Sequence, residues 1–131
     1  MLSACGLRED KAGAETFAAS FFETVRAKDF ASVSTFYSPQ FFEKVSREEW
    51  LQSLKNINAK LGDLREYRLV KWNFRKFYGT SGSGTYFQLE YRVAYTKYPA
   101  DETLTVFKPS GGGGMQILGH HINSEGFLKS Q

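Results

Sequence analysis

The sequence predicts an α+β domain in which three helices precede a four-stranded antiparallel sheet. Two observations support this fold class. Apolar residues recur with a period of about 3.6 residues before Gly62, and with a period of about two after it. The chain has 131 residues, 41% hydrophobic and 16% aromatic. That is enough apolar surface for one core without disulfides or metal.

Three helices are expected between residues 14 and 62. The first covers residues 14–28, and its apolar positions share one face: Ala14, Phe17, Ala18, Phe21, Phe22 and Val25. Asp29 is placed to cap a short second helix, which Pro39 ends. The third begins at Ser46, which has capping-box spacing to Glu49, and ends at Gly62.

Strands are expected over residues 67–78, 85–98, 102–108 and 115–122. The second strand alternates most clearly, with its apolar residues on one face: Phe87, Leu89, Tyr91, Val93 and Tyr95. Residues 79–84 link the first two strands, a tight turn over residues 98–101 follows, and a glycine-rich loop spans residues 111–114. This order favours a sheet with one buried and one solvated face.

The net charge and the cysteine content argue against a nucleic-acid partner and exclude an intramolecular disulfide. The net charge is +3 and the basic residues are scattered, so nothing indicates a nucleic-acid partner. A sequence pI near 9.0 suits an anionic lipid surface equally well. Cys5 is the single cysteine, which excludes an intramolecular disulfide.

The first residues resemble the lipobox of bacterial lipoproteins. In Leu2-Ser3-Ala4-Cys5-Gly6 an aliphatic residue and two small residues precede a cysteine, as signal peptidase requires. The resemblance implies lipid attachment at Cys5 and firm membrane anchoring by two or three acyl chains. Only residues 1–4 precede Cys5, so we interpret Met1 as replacing a longer signal segment. The alternative is a chance match to a short motif.

The lipobox interpretation predicts both the division of the chain into a tether and a domain and the location of the protein in the cell. Residues 1–13 are expected to be a lipobox remnant and flexible tether, and residues 14–131 a single domain. The predicted location is the cell envelope, on the periplasmic side of a bacterial membrane. Gly6 replaces the aspartate that favours inner-membrane retention, which favours the outer membrane.

Residues 14–128 resemble the nuclear-transport-factor-2-like (cystatin-like) superfamily. The resemblance rests on three helices followed by four long strands, and on the Lys28-Asp29-Phe30 step between the first two helices. It implies a cone in which a curved sheet wraps helices around a cavity. The expected lining residues are Trp50, Trp72, Tyr91, Tyr95 and His121. The alternative is that these aromatic residues simply fill the core.

The histidines offer little chemistry by themselves. His120 and His121 are adjacent in a strand, so their side chains point to opposite faces and cannot share a metal ion. We expect neither metal nor cofactor. Asp29, Asp63 and Asp101 are assigned to a helix cap and to turns, which leaves His121 as the candidate acid or base.

Two functions follow from these observations. The first is a membrane-tethered, non-enzymatic module that binds a small hydrophobic ligand or an envelope protein. The second is a small cavity enzyme, an isomerase or hydrolase, using His121. A third alternative is a homodimer formed through the polar sheet face, which the sequence neither favours nor excludes. The residues of that face are Gln88, Glu90, Arg92 and Thr96.

Overall fold

The computed structural model of the chain describes residues 2–80 and 82–128. Within these residues, helices α1 (Leu2–Arg26), α2 (Phe30–Val33), α3 (Phe41–Lys44) and α4 (Arg47–Leu61) precede all strands. Strands β1 (Leu64–Gly79), β2 (Gly82–Tyr95), β3 (Pro99–Pro109) and β4 (Gln116–Asn123) follow. Single 3-10 turns cover Ser34–Phe36 and Glu125–Leu128. The predicted α+β class is confirmed.

The sheet is a meander in the order β1-β2-β3-β4, and every neighbouring pair is antiparallel. Its core face carries the alternating residues that the sequence predicts on β2. Phe87, Leu89 and Val93 are fully buried, and Tyr91 and Tyr95 nearly so. The predicted number of strands and the predicted inner face of β2 are both confirmed.

Helices α1 and α4 cover this face of the sheet. Phe21 and Phe22 of α1 are fully buried, and Leu54 and Leu61 of α4 are buried as well. The Phe22 ring contacts Tyr91 of β2 at a centroid distance of 4.9 Å. Burying such large rings is the main favourable contribution to folding.

Two predicted helix caps are confirmed. The Ser46 hydroxyl oxygen accepts a hydrogen bond from the Glu49 amide at 3.0 Å, and α4 begins after it. The Asp29 carboxylate accepts from the Ser32 amide at 3.3 Å and from the Ser32 hydroxyl at 2.7 Å. These bonds lower the pKa of Asp29, as expected for a carboxylate that caps a helix.

The helical layer differs from the three helices expected. Two helices are long, α1 with 25 residues and α4 with 15, whereas α2 and α3 are single turns of four residues. Between Pro39 and Ser46, where no helix was expected, residues Phe41–Lys44 form α3, and the Ser38 hydroxyl accepts from the Phe41 amide at its start at 3.2 Å. Pro39 separates it from the preceding turns.

The flexible tether expected in residues 1–13 is helical wherever the structure describes it, from Leu2 onward. Contacts with distant strands stabilise this extension. Asp10 forms an ion pair with Lys108 of β3 at 3.6 Å, and the Lys11 ammonium lies 4.9 Å from the centre of the Trp72 ring. Leu7 packs against the core. No helix within residues 2–80 and 82–128 is long and apolar enough to span a membrane.

Two glycine substitutions test this description of the helices. Gly62 ends α4 with φ of 101°, and an added Cβ would overlap the Thr96 side chain and lie 2.9 Å from the Lys97 amide nitrogen. We expect Gly62→Ala to lower the free energy of unfolding by about 1–3 kcal/mol from backbone strain alone. Denaturant titration followed by circular dichroism measures this.

Gly6→Ala is the matched control. Gly6 lies inside α1, and an added Cβ meets no atom within 4 Å. Because alanine favours a helix interior over glycine, this variant should gain about 0.5–1 kcal/mol. An unchanged stability and helix content in Gly6→Ala would show that residues 6–13 are not helical in solution.

Candidate functional site

Strands β3 and β4 bring a buried glutamate and a buried histidine together. His120 Nε2 donates a hydrogen bond to Glu102 Oε1 at 2.8 Å. The two side chains are only 1% and 2% exposed. A carboxylate removed from water is costly unless it is hydrogen-bonded, so this contact is essential to both residues.

Two tyrosine hydroxyls complete the set, which we call the buried network: Tyr37, His120, Glu102 and Tyr95. The Tyr95 hydroxyl donates to Glu102 Oε2 at 2.5 Å. The Tyr37 hydroxyl and His120 Nδ1 lie 2.8 Å apart. A neutral His120 donates from Nε2 to Glu102 and accepts at Nδ1 from the Tyr37 hydroxyl. In this arrangement each of the three hydrogen bonds has one donor and one acceptor.

The loop before α3 places Tyr37 beside the sheet. Tyr37 forms an isolated parallel bridge with Ile117 of β4, and the Ser38 amide donates to the Ile117 carbonyl at 2.9 Å. The first residues of this loop thereby satisfy part of the free edge of β4. The buried network thus joins β2, β3, β4 and this loop.

Aromatic rings enclose His120. The rings of Phe21 and Trp50 stand edge-on to it, with centroids 5.5 Å and 5.8 Å away, and Tyr37 stacks at 6.1 Å. Trp50 Nε1 is buried and makes no hydrogen bond of standard geometry within the described residues. Its N–H nevertheless lies near enough to the Tyr37 hydroxyl to offset part of the rise in pKa that burial causes there.

Burial changes the acidity of the tyrosines. It strongly raises the pKa of Tyr37 and of Tyr95, and the negative charge of Glu102 raises both further. Burial also raises the pKa of Tyr91. Ionised phenolate is disfavoured where water is excluded and a carboxylate lies nearby. The three hydroxyls therefore stay protonated at neutral pH, and that of Tyr95 donates to Glu102.

The space beside the buried network is very small. A cavity of about 10 Å³ touches Tyr95, Glu102 and His120 and is otherwise lined mainly by apolar residues of α1 and α4. Such a volume holds at most about one water molecule. The network has the side chains of an acid–base site, but a substrate could reach them only after the surrounding rings had moved.

The structure separates the pocket residues predicted from the sequence. Tyr95 lines the small cavity, while Trp50 packs against His120 and Tyr91 is buried against Phe22. Trp72 is 36% exposed on β1, away from the cavity. His121 is exposed, and its neighbour His120 takes the position expected for it.

A β-bulge in β4 explains the exchange of His120 for His121. Strict alternation from the buried Ile117 would place residues 119 and 121 on the core face. In the structure Val106 pairs with Ile117, but the next residue of β3, Thr105, pairs with Gly119. Leu118 is thus an extra residue, which moves the even-numbered positions to the core face.

Glu102 was not among the site residues predicted from the sequence, although its position in β3 indicates that its side chain is buried. It shares the parity of Ala100, Leu104 and Val106 in β3, all of which are buried. A carboxylate at an inward position of an alternating strand needs a buried partner. The only carboxylates predicted as candidates from the sequence were aspartates, two of which form exposed ion pairs: Asp63 with Lys28 and Asp101 with Arg92.

Two further sequence predictions concern ligands. Cys5 lies in α1, but its side chain is outside the described part of the structure, so the lipid-attachment prediction stays a prediction. Among the described residues, no group of three or more His, Cys, Asp or Glu side chains is placed to hold a metal ion.

Comparisons with protein-family models, with curated proteins and with solved structures found no match to this chain. The site must therefore be interpreted from its own chemistry.

Alkaline titration tests the role of Tyr95. Its pKa is raised above the ordinary value of 10.0, so above about pH 10 the unfolded chain loses a proton that the folded chain keeps. The contribution of Tyr95 to stability does not change with pH below about pH 10 and is lost progressively as the pH rises above it. We expect Tyr95→Phe to reduce this fall by up to about 1.4 kcal/mol per pH unit.

The same variant should lose about 1–3 kcal/mol near neutral pH, because Glu102 Oε2 loses its donor. Urea unfolding between about pH 7 and pH 11 measures both effects. Tyr78→Phe is the control, since Tyr78 is 79% exposed. Parallel stability curves for the wild type and Tyr95→Phe would contradict the assigned role.

Proposed function

We propose that this protein is a membrane-tethered, non-enzymatic interaction module of the bacterial cell envelope. The domain is of the nuclear-transport-factor-2-like type, and it binds its partner on its outer surface. The observation that carries the proposal is the distribution of apolar surface. The cavity beside the buried network is about 10 Å³, whereas five large apolar side chains of β1 are exposed: Val70, Trp72, Phe74, Phe77 and Tyr78.

The α+β order supports the fold assignment within this proposal. Helices come first, and a four-stranded antiparallel meander packs one face against them. Proteins of one fold serve many functions, so the fold alone does not choose between a binding domain and an enzyme. The choice rests on the closed interior and the exposed strand.

The lipobox-like sequence ending in Cys5 supports the tether. In a lipoprotein the chain would begin at Cys5 after cleavage, and α1 would continue directly from the anchor. The anchor would then be joined to the domain by a helix packed on the sheet rather than by a flexible linker. This arrangement fixes which end of the domain faces the bilayer.

Mass spectrometry of the protein isolated from the cells that make it tests the tether. We expect a diacylglyceryl group on Cys5 and recovery of the protein with the membrane fraction. Chromosomal Cys5→Ser is the matched control and should move the protein to the soluble fraction. An unmodified Cys5 thiol in a soluble protein would overturn the proposed location.

A further inference from the structure

Strand β1 exposes apolar rings on both of its faces. Trp72 and Phe74 pair with the buried residues Leu89 and Phe87, so they point to the core side of the sheet. Phe77 points to the opposite side, where its ring contacts Tyr86 at a centroid distance of 6.1 Å. These exposed rings are 36%, 41% and 40% accessible. Contiguous apolar exposure of this kind marks a binding surface.

The same strand is strongly basic. Its cations, all exposed, are Arg65, Arg68, Lys71, Arg75 and Lys76. Glu66 is its single acidic residue, and no salt bridge between described residues involves these five cations. Together with Val70, Trp72, Phe74, Phe77 and Tyr78 they form the aromatic–cationic edge. A complementary partner must be anionic and able to accept apolar rings.

The start of α1 lies toward the distal half of this edge, from Trp72 onward. The Tyr67 hydroxyl near the beginning of β1 donates to Glu23 at 2.7 Å, whereas Lys11 lies over Trp72 further along β1. Helix α1 therefore runs antiparallel to β1. Cys5 is six residues before Lys11, about 9 Å further along the helix axis, beside the distal half of the β1–β2 hairpin.

We infer that the aromatic–cationic edge lies in the headgroup region of an anionic bilayer, next to the lipid anchor. This inference rests on the proposed function for the placement of the anchor. Rings on both faces of one edge strand fit a medium that surrounds the edge, whereas a protein surface would meet only one face. Aromatic rings favour the membrane interface, and lysine and arginine are attracted to anionic lipids.

Vesicle sedimentation of the full chain carrying Cys5→Ser tests the surface without any lipid on the protein. We expect binding to vesicles of phosphatidylcholine and phosphatidylglycerol, and about tenfold weaker binding to pure phosphatidylcholine. Binding should weaken with added salt. Trp72 fluorescence should shift to shorter wavelength on binding, and Trp72→Phe should remove this shift.

Two pairs of variants separate charge from apolar contact. Lys71→Glu/Arg75→Glu should reduce binding about tenfold or more, whereas Lys44→Glu/Lys97→Glu, with the same change in net charge, should not. Phe77→Ser/Tyr78→Ser should also reduce binding, while Leu128→Ser, at a side chain that is 89% exposed, should leave it unchanged. Thermal melts check that each variant folds.

Several results would overturn the inference. One is that the protein binds no vesicles, and another is that it binds neutral and anionic vesicles equally well. A third is that Lys44→Glu/Lys97→Glu reduces vesicle binding as much as Lys71→Glu/Arg75→Glu does. A dimer in sedimentation that dissociates in Phe77→Ser/Tyr78→Ser, without vesicle binding, would assign the edge to a second copy of the chain. Since the assay uses Cys5→Ser protein, its failure is distinguishable from a missing lipid on the native Cys5, which mass spectrometry reports separately.

Discussion

The contact between Glu102 and His120 is the constraint on which the rest of the fold depends. A carboxyl group that is 2% exposed needs hydrogen-bond partners for both oxygens, and here two donors on different strands supply them. A slip of β4 by one residue would turn His120 to the solvent and leave Glu102 with one partner. The bulge at Leu118 is therefore a required part of the strand. The register of β2, β3 and β4 and the position of Tyr37 are set together.

This arrangement of polar groups also determines where binding can occur. The Phe21, Tyr37 and Trp50 rings enclose the polar network, so its hydrogen-bonding capacity is used inside the protein. The cavity left beside it is about 10 Å³, and opening it would separate rings and expose the hydrogen-bonded polar groups. The large exposed apolar side chains lie mainly on β1, where α1 leaves part of the strand accessible. A packed core and an exposed edge strand together favour recognition on the outside.

The sequence predicted features that depend on local periodicity and missed features that depend on distant contacts. The four strands, the inner face of β2 and the Asp29 and Ser46 caps follow from residues close in sequence and are confirmed. The turn expected over residues 98–101 is wrong, because β2 ends at Tyr95 and β3 already begins at Pro99. Two errors share one physical cause. The bulge that turns His120 inward arises from pairing with β3, and the helix before Ala14 is held by strand residues about 60 to 100 positions away. Neither pairing leaves a local pattern in the chain.

The cations of β1 explain how an exposed edge strand can remain unpaired. An edge strand with unpaired backbone N–H and C=O groups and exposed rings favours pairing with a strand of another chain. The register shifts between Leu64 and Glu66 and between Leu69 and Lys71 interrupt the regular edge. Where the strand is regular beyond Lys71, repulsion between the cations of two copies opposes their alignment. The same charges would attract the anionic bilayer proposed above, so one set of side chains would oppose strand pairing between copies and favour the proposed lipid surface. The aromatic rings would then add apolar contact with that surface.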